Sequence, residues 1–571
     1  MLVCVSPVRA QSSLDPIDLL TEADLRIDGA RAGDVTGSVG RAGDVNGDGR
    51  PDVVIGASGA DNRGRTDAGA AYVVFGGPLP ATIDLATLSS RGFRIDGALA
   101  GDRAGVFVDG AGDVNGDGLA NVVVGALQAD WRGRVDSGAA YVVFGKATSD
   151  AVDLAALGNR GYEIGGANSG DFTGSVAGAG DVNGDGRPDV VVGARFAPPG
   201  GAGFVVFGKT SQGAIDLAAL GSQGFRINGA LPGDRVAIVV AGVGDLSGDG
   251  LADVVLGARF TSPNGRHESG SAYIVFGKSS AATVNLAALG AGRFQIQGAV
   301  SGDQTGSNVA GPGDVNGDGR PDVLVGAANA SPATIRAAAY VVFGRPSPQP
   351  VDLAALGQGG FRIDGVEGDQ LGDRAARAGD LNGDGRADVL LGAVFADNNG
   401  RDESGSVYAL FGKATTGTID LAALGSQGFR IDGAARLDLA GETVGAGDFA
   451  GDGSVDILVG ARLADNNGRD TSGSVYVVSA PDTQRPTCAI GRVGSRTNVI
   501  FEDNQSGLAA IDILVTTNAT ATVQSFPPGT NDPVTVVLTR VNPAQPGSVR
   551  LRARDENGNV GYCAASGSVA I

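Results

Sequence analysis

The stretch Asp44-Val45-Asn46-Gly47-Asp48-Gly49-Arg50-Pro51-Asp52 decides how this chain is read. It recurs six more times with small changes, starting at Asp113, Asp181, Asp245, Asp314, Asp380 and Asp448, at steps of 69, 68, 64, 69, 66 and 68 residues. A period this long and regular marks a repeat architecture. Around each copy the same parts return. A Gly-x-x-x-x-Ala-Gly-Asp lead enters the loop. An apolar run such as Val53-Val54-Ile55 follows, closed by Gly56-Ala57. A variable loop leads to a second run, Tyr72-Val73-Val74-Phe75-Gly76, and then to segments of the kind Ile419–Leu424 and Gly428–Gly433.

Short β-rich runs separated by glycine turns predict about four strands per unit. Seven such units fit a β-propeller, with a linear solenoid as the alternative. The chain ends favour a ring. A copy of the Ile-Asp-Leu…Arg-Ile-Asp-Gly segment, Ile17–Gly29, precedes the first Asp-rich loop, and none follows the last apolar run at Tyr476–Val478. The N-terminal strand is therefore expected to complete the seventh blade, which removes two raw sheet edges. The fold class is all-β: a seven-bladed β-propeller closed by the N-terminal strand over residues 14–480, followed by a small β-sandwich over 482–571.

These motifs resemble the FG-GAP repeats of integrin α-subunit propellers, and their bacterial relatives in particular. The likeness rests on GDVNGDG, the following VVxGA and YVVFG, and covers more than four-fifths of the chain. It implies an extracellular or cell-surface protein used in adhesion or ligand binding. It also implies that the Asp-rich loop joins the first two strands of a blade and holds calcium.

The loop chemistry makes the same case. Oxygen-bearing side chains stand at positions 1, 3, 5 and 9, with the carbonyl of position 7 between them. In the first loop these are Asp44, Asn46, Asp48 and Asp52, with the Arg50 carbonyl. The second has Asp113, Asn115, Asp117, Leu119 and Asn121; the third has Asp181, Asn183, Asp185, Arg187 and Asp189. The fourth has Asp245, Ser247, Asp249, Leu251 and Asp253; the fifth has Asp314, Asn316, Asp318, Arg320 and Asp322. The sixth has Asp380, Asn382, Asp384, Arg386 and Asp388; the seventh has Asp448, Asp452, Ser454 and Asp456, with nothing at position 3. The spacing follows the start of an EF-hand loop, with glycine at position 6 and no glutamate at position 12. Hard oxygen ligands without His or Cys suit calcium better than zinc or copper, and magnesium wants stricter octahedral geometry. Asp, Asn and Gly also build ordinary turns. Turn chemistry alone does not require carboxylates at positions 1, 5 and 9 together. Twenty carboxylates stand at these positions in a chain of net charge −20, and seven Ca²⁺ would reduce that to −6. The second and seventh sites are expected to be weakest, because Asn121 replaces a carboxylate and Ala450 offers no ligand.

An acidic chain lacks the basic footprint that nucleic acid or anionic lipid requires. No apolar run is long enough to span a membrane. Residues 1–10 read as the tail of a signal peptide, or else as a frayed terminus. Cys488 and Cys563 lie near the two ends of the C-terminal segment and are expected to form a disulfide, with two buried thiols as the alternative. That segment carries runs at 498–501, 511–517, 534–539 and 549–553, which suit an immunoglobulin-like sandwich.

The only histidine, His267, sits in a variable loop. That removes Ser-His-Asp and Cys-His schemes, and every regular carboxylate cluster is already assigned to a loop. Catalysis is not expected. The leading reading is a monomeric adhesion or ligand-binding propeller whose partner is a protein or a surface glycan, with up to seven structural calcium ions. An accessory module of a secreted hydrolytic system and a structural envelope or matrix protein are the alternatives. Trp131, where other units carry Asn, is either a binding hot spot or packs on its own blade.

Overall fold

The computed structural model describes residues 16–567 apart from 79, 330–336, 452, 482–486, 494–495, 503–507, 518, 541–546 and 556–559. Contacts divide the chain into one unit made of Pro16–Asp380 and Gly385–Ser479 and a second centred on Ala480–Ile571. The expected signal remnant at 1–10 lies outside the described residues.

The first unit contains seven five-stranded sheets. The first runs from an inner strand, Thr36–Gly43, through Asp52–Ala57 and Ala70–Val74 to Gly92–Asp96, all antiparallel. The second strand is wholly buried in every blade, as Asp52–Ala57 shows. It is covered on both faces by neighbouring blades, so it reads Val-Val-Ile without polar alternation. Gly56 closes that run because the next blade's backbone crosses it: a Cβ there would lie 1.9 Å from the Gly105 carbonyl oxygen. Between the third and fourth strands, the Phe of the Tyr-Val-Val-Phe run meets the Phe of the Gly-Phe-Arg-Ile run edge-on, as Phe75 and Phe93 do at 6.1 Å. Such pairs add to burial through the ring quadrupoles.

The N-terminal strand closes the ring as expected. Leu25–Asp28 lies antiparallel to Ser474–Ser479, with Leu25 opposite Val477. One feature differs from the sequence reading. The Ile-Asp-Leu segment does not continue into its own blade's outer strand. It forms a fifth strand of two or three residues on the preceding blade, and it runs parallel there. Val152–Asp153 pairs with Ile95 and Asp96 of the first blade before the chain enters the second blade's outer strand. The N-terminus therefore closes two blades, since Ile17–Asp18 pairs with Ile431 and Asp432 of the sixth.

Each borrowed strand ends on an aspartate or asparagine, and the aspartates cap a short helical turn, as Asp153 does for Ala155. An arginine from the receiving blade grips the same carboxylate. Arg65 reaches Asp153 at 2.9 Å, Arg134 reaches Asp216 at 2.7 Å and Arg266 reaches Asp352 at 2.8 Å. Arg401 reaches Asp18 at 2.7 Å and Arg469 reaches Asp84 at 2.8 Å. The arginines hold Asp84, Asp216 and Asp352 below the usual carboxylate range. The third blade has neither partner: its loop carries Pro198 and Pro199 instead of Arg, and its borrowed strand ends on Asn285. The two halves of the clasp are lost together.

The C-terminal unit has a four-stranded sheet (Thr487–Val493, Arg496–Glu502, Val534–Arg540, Ala519–Val523) and a three-stranded one (Leu508–Thr517, Gly547–Asp555, Val560–Gly567). Val499, Phe501, Val536 and Leu538 from the first share one core with Leu508, Leu551 and Ala553 from the second. The two sheets fit a small β-sandwich. Cys488 and Cys563 fall on strands of different sheets, but their side chains lie outside the described residues.

A largely buried aspartate precedes each inner strand. In most blades it accepts a backbone N–H three residues upstream, as Asp34 does from Arg31 at 3.0 Å. Burial pushes Asp34, Asp102, Asp369 and Asp438 up to about 6. A carboxyl whose folded value is raised stabilises the fold below its unfolded value near 4 and loses that contribution as pH rises through about 6. In excess chelator, the melting temperature is therefore expected to fall between about pH 4 and pH 7. Asp102→Asn, which keeps the acceptor, should flatten that slope; scanning calorimetry across the pH range checks it.

Candidate functional site

The seven Asp-rich loops sit where strand one turns into strand two, at one end of the ring. Their side chains are wired to loop amides. In the first loop, Asp44 Oδ1 accepts the N–H groups of Gly47 and Asp48 at 2.7 and 3.1 Å, and Oδ2 accepts Gly49 N–H at 2.8 Å. Asn46 Oδ1 accepts Asp48 N–H at 2.8 Å and its Nδ2 donates to Asp48 Oδ2 at 3.1 Å. Asp48 Oδ1 accepts Arg50 N–H at 2.9 Å. The third and fifth loops repeat this pattern around Asp181 and Asp314.

Position 9 is placed differently. Asp52 is fully buried at the base of the loop, with Oδ2 accepting Val45 N–H and Oδ1 accepting Gly76 N–H, both at 2.8 Å. It ties the loop to the end of the third strand. Burial pushes Asp52 up to about 6 and Asp189, Asp253 and Asp322 up to about 7; the amides pull them back, and neighbouring loop carboxylates push further. The structure thus brings positions 1, 3 and 5 together along the loop and sets position 9 beneath them. Among the described residues, no three Asp, Glu, His or Cys side chains converge closely enough to share an ion in this arrangement.

The odd loops differ as their sequences suggest. Asn121 Nδ2 donates to the Leu119 carbonyl at 2.8 Å, occupying the position-7 acceptor, while its own Oδ1 is buried without a partner. In the fourth loop Ser247 Oγ reaches Asp245 Oδ1 at 3.3 Å. In the seventh, Asp452 lies outside the described residues; Asp448 and Asp456 keep their loop contacts. In the sixth, Asp384 N–H donates to Asn382 and Gly385 N–H to Asp380.

The loops also overlap one another. The position-7 side chain of one blade lies over the position-4 glycine of the preceding loop. Leu119 covers Gly47, Arg187 covers Gly116, Leu251 covers Gly184 and Arg50 covers Gly451 across the closure. Arg320 goes further and donates to the Ser247 carbonyl at 3.0 Å. Position 8 alternates too. In the second, fourth and sixth blades, Ala120, Ala252 and Ala387 donate N–H to the backbone carbonyls of the position-1 aspartates of the preceding loops, Asp44, Asp181 and Asp314. The first, third and fifth blades carry Pro51, Pro188 and Pro321 there and have no N–H to give.

The opposite end of the ring carries a feature that the sequence reading missed. Phe172 and Phe196 meet edge-on at 5.5 Å. Arg195 stacks on both, Arg235 lies 5.0 Å from Phe196 and 4.9 Å from Phe260, and Arg259 lies 4.9 Å from Phe260. The result is an alternating ladder of three rings and three guanidiniums across the third and fourth blades. Phe196 is 43% exposed. The Nε atoms of Arg195 and Arg259 are buried without partners, and burial and the other two arginines lower the Arg195 pKa. The signal was present in the sequence: these two units alone follow Gly-Ala with Arg-Phe.

Trp131 packs on its own blade. It is 5% exposed, and Arg132 lies over its ring at 4.3 Å. A Cβ on Gly165 would sit 1.9 Å from the indole. In the first blade the Gly165 position is a buried aspartate, Asp96, bonded by Arg63 at 2.7 Å. The tryptophan fills the space that the missing carboxylate leaves. His267 lends its carbonyl to Gly302 N–H at 2.9 Å.

Comparison with known proteins agrees with this architecture. Residues 36–74, 172–217, 305–342 and 374–410 match the FG-GAP repeat. Human phosphatidylinositol-glycan-specific phospholipase D is 31% identical over 172 residues, 28% of this chain and 18% of that protein. Integrin alpha pat-2 of Caenorhabditis elegans is 27% identical over 232 residues, 38% of this chain and 17% of that protein. Integrin alpha-4 of Xenopus laevis is 29% identical over 227 residues, 38% of this chain and 19% of that protein. The matched stretches thus span less than a fifth of each relative.

Trp131→Ala should cost ~3 kcal/mol or more, as large-to-small changes in packed sites do. Combining Trp131→Asn with Gly165→Asp rebuilds the pattern of the first blade and should recover part of that loss. Chemical denaturation of the single and double variants measures both.

Proposed function

We propose that this FG-GAP repeat β-propeller is an extracellular, calcium-stabilised module that binds ligands in adhesion, and that it is not an enzyme. The FG-GAP repeats and the similarity to integrin α-subunits support the ligand-binding reading. The observation that carries the calcium reading is the donor set: three carboxylates, an amide and a carbonyl within nine residues in the first, third, fifth and sixth loops, with close variants in register in the other three. These are hard oxygen ligands, suited to calcium. The position-9 carboxylates are pushed up partly by their acidic neighbours, a repulsion that a cation would relieve. Ion binding would exchange some loop amide contacts for metal contacts and stabilise the ring by mass action. Position 9 would act from the base of the site, since it already joins the loop to the third strand.

The Phe–Arg ladder is the surface that we assign to the ligand. It lies at the end of the ring away from the acidic loops. It combines rigid aromatic area with guanidiniums that have no carboxylate partner among the described residues, in a chain whose net charge is −20. Aromatic residues and Arg dominate binding hot spots. The ligand chemistry that such a face suits is acidic. The accessory and matrix readings remain alternatives to adhesion, and neither changes the face that would be used. No described helix is long and apolar enough to cross a membrane.

Excess chelator should lower the melting temperature markedly, calcium should restore it, and magnesium should not; scanning fluorimetry reads this directly. An unchanged melt in chelator would reduce the loops to turns. On a polyglutamate-coated surface, Phe196→Ala/Arg235→Ala should be retained about tenfold less than the parent, the loss expected of a hot-spot pair, with melting temperatures alike.

A further inference from the structure

The inner strands of all seven blades enclose a cavity of about 580 Å³ on the ring axis. Its wall follows a steric rule. Three residues before each Asp-rich loop, five blades carry glycine: Gly110, Gly178, Gly242, Gly311 and Gly445. Four of these are forced. A Cβ on Gly110 would lie 2.0 Å from the Arg41 carbonyl oxygen. On Gly178 it would lie 2.4 Å from that of Gly110, on Gly242 2.6 Å from that of Gly178, and on Gly311 2.5 Å from that of Gly242. Gly445 is not forced, since its nearest neighbour is Leu458 at 3.5 Å. The ring is therefore tight through blades two to five and looser across six, seven and one. The two remaining blades break the glycine rule there, with Arg41 and Arg377.

Charge is also concentrated on that side. The cavity wall includes Arg41, Arg374, Arg377 and Arg462 against two carboxylates, Asp109 and Glu442. Glu442 is engaged by Arg374 at 3.5 Å and closely by Arg462. Asp109 accepts Gly178 N–H at 3.2 Å and forms no ion pair with either remaining arginine. Among the described residues, Arg41 and Arg377 have no side-chain hydrogen bond or ion pair. Burial and the neighbouring Arg377 lower the Arg41 pKa, and Asp109 offsets only part of this. Both guanidiniums are exposed to the channel, and two like charges held beside one cavity attract an anion there. Guanidiniums present forked donors that match the oxygens of such an ion.

We propose that Arg41 and Arg377 form a site in the propeller channel for a small oxyanion, of the phosphate, sulfate or carboxylate class. The site is distinct from the Phe–Arg ladder and lies toward the acidic-loop end of the channel, since a Cβ on Gly447 would meet Arg41 at 3.5 Å and one on Gly313 would meet Arg377 at 3.7 Å. Its size suits a single anion with its waters rather than a polymer. Arg374 and Arg462 hold Glu442 aside and add positive potential at the same wall.

The test uses the full chain with sulfate as the probe, titrated at constant ionic strength against chloride, with calorimetry and melting temperature as readouts. The expected result is saturable binding with a matching rise in melting temperature. Arg41→Gly/Arg377→Gly, which adopts the residue found in the other five blades, should fold and weaken sulfate binding about tenfold or more, as loss of charge-assisted donors does. Glu442→Gln should tighten it. Should the double glycine variant lose its fold, Arg377→Gln alone must still weaken binding severalfold. Absence of saturable binding in the parent protein, or binding indifferent to the changes at Arg41 and Arg377, overturns the proposal.

Discussion

The ring depends on one strand pairing. Leu25–Asp28 must lie against Ser474–Ser479, at the far end of the propeller sequence, before the seventh blade has its fourth strand. Closing so long a loop costs entropy but only slowly more than a shorter one would, because the cost grows with the logarithm of length. The gain is the removal of unpaired edges. The parallel handover of the Ile-Asp-Leu segments spreads this logic around the ring. Every blade receives a few residues from the chain on its way into the next blade, and in five of them an arginine grips the aspartate that ends the borrowed piece. No blade is complete from one continuous stretch of chain.

Much of this was legible in the sequence because a seven-fold pattern repeats its own evidence. The Asp-rich loops announced the period, and the unpaired copy at Ile17–Gly29 announced the closure. The handover was not legible. A strand of two residues such as Val152–Asp153 has no periodicity to display, and its partner Ile95 lies far away in sequence. The clasp was hidden for the same reason, since Arg134 and Asp216 are 82 residues apart. Departures from the repeat were more informative than the repeat itself. Trp131 made sense only beside Gly165, and Asn285 only beside the prolines of the third blade. Both show two positions changing together because they share one space or one charge.

The two ends of the propeller are chemically opposed. One carries a ring of overlapping acidic loops whose aspartates are bound into their own backbone. The other carries the exposed Phe–Arg ladder. The axis between them is lined by backbone so close that glycine is compulsory through four successive blades, and its few charged side chains collect where the packing relaxes. The loops were readable because their ligand spacing is local. The ladder was legible only in part: the Arg-Phe pairs at 195–196 and 259–260 stand out from the repeat, but Phe172 and Arg235 come from a second kind of loop and join them only in the folded ring.

The closing strand has a mechanical consequence. Ser474–Ser479 is the last strand of the propeller, and the chain continues from it into the C-terminal sheets. It is not an edge strand: Asp456–Ala461 flanks it on one side and Leu25–Asp28 on the other. Tension along the chain at this exit would load both rows of hydrogen bonds in shear at once instead of peeling them singly. A protein built this way transmits pulling force into the body of the ring, and its point of greatest chain discontinuity becomes a point of anchorage.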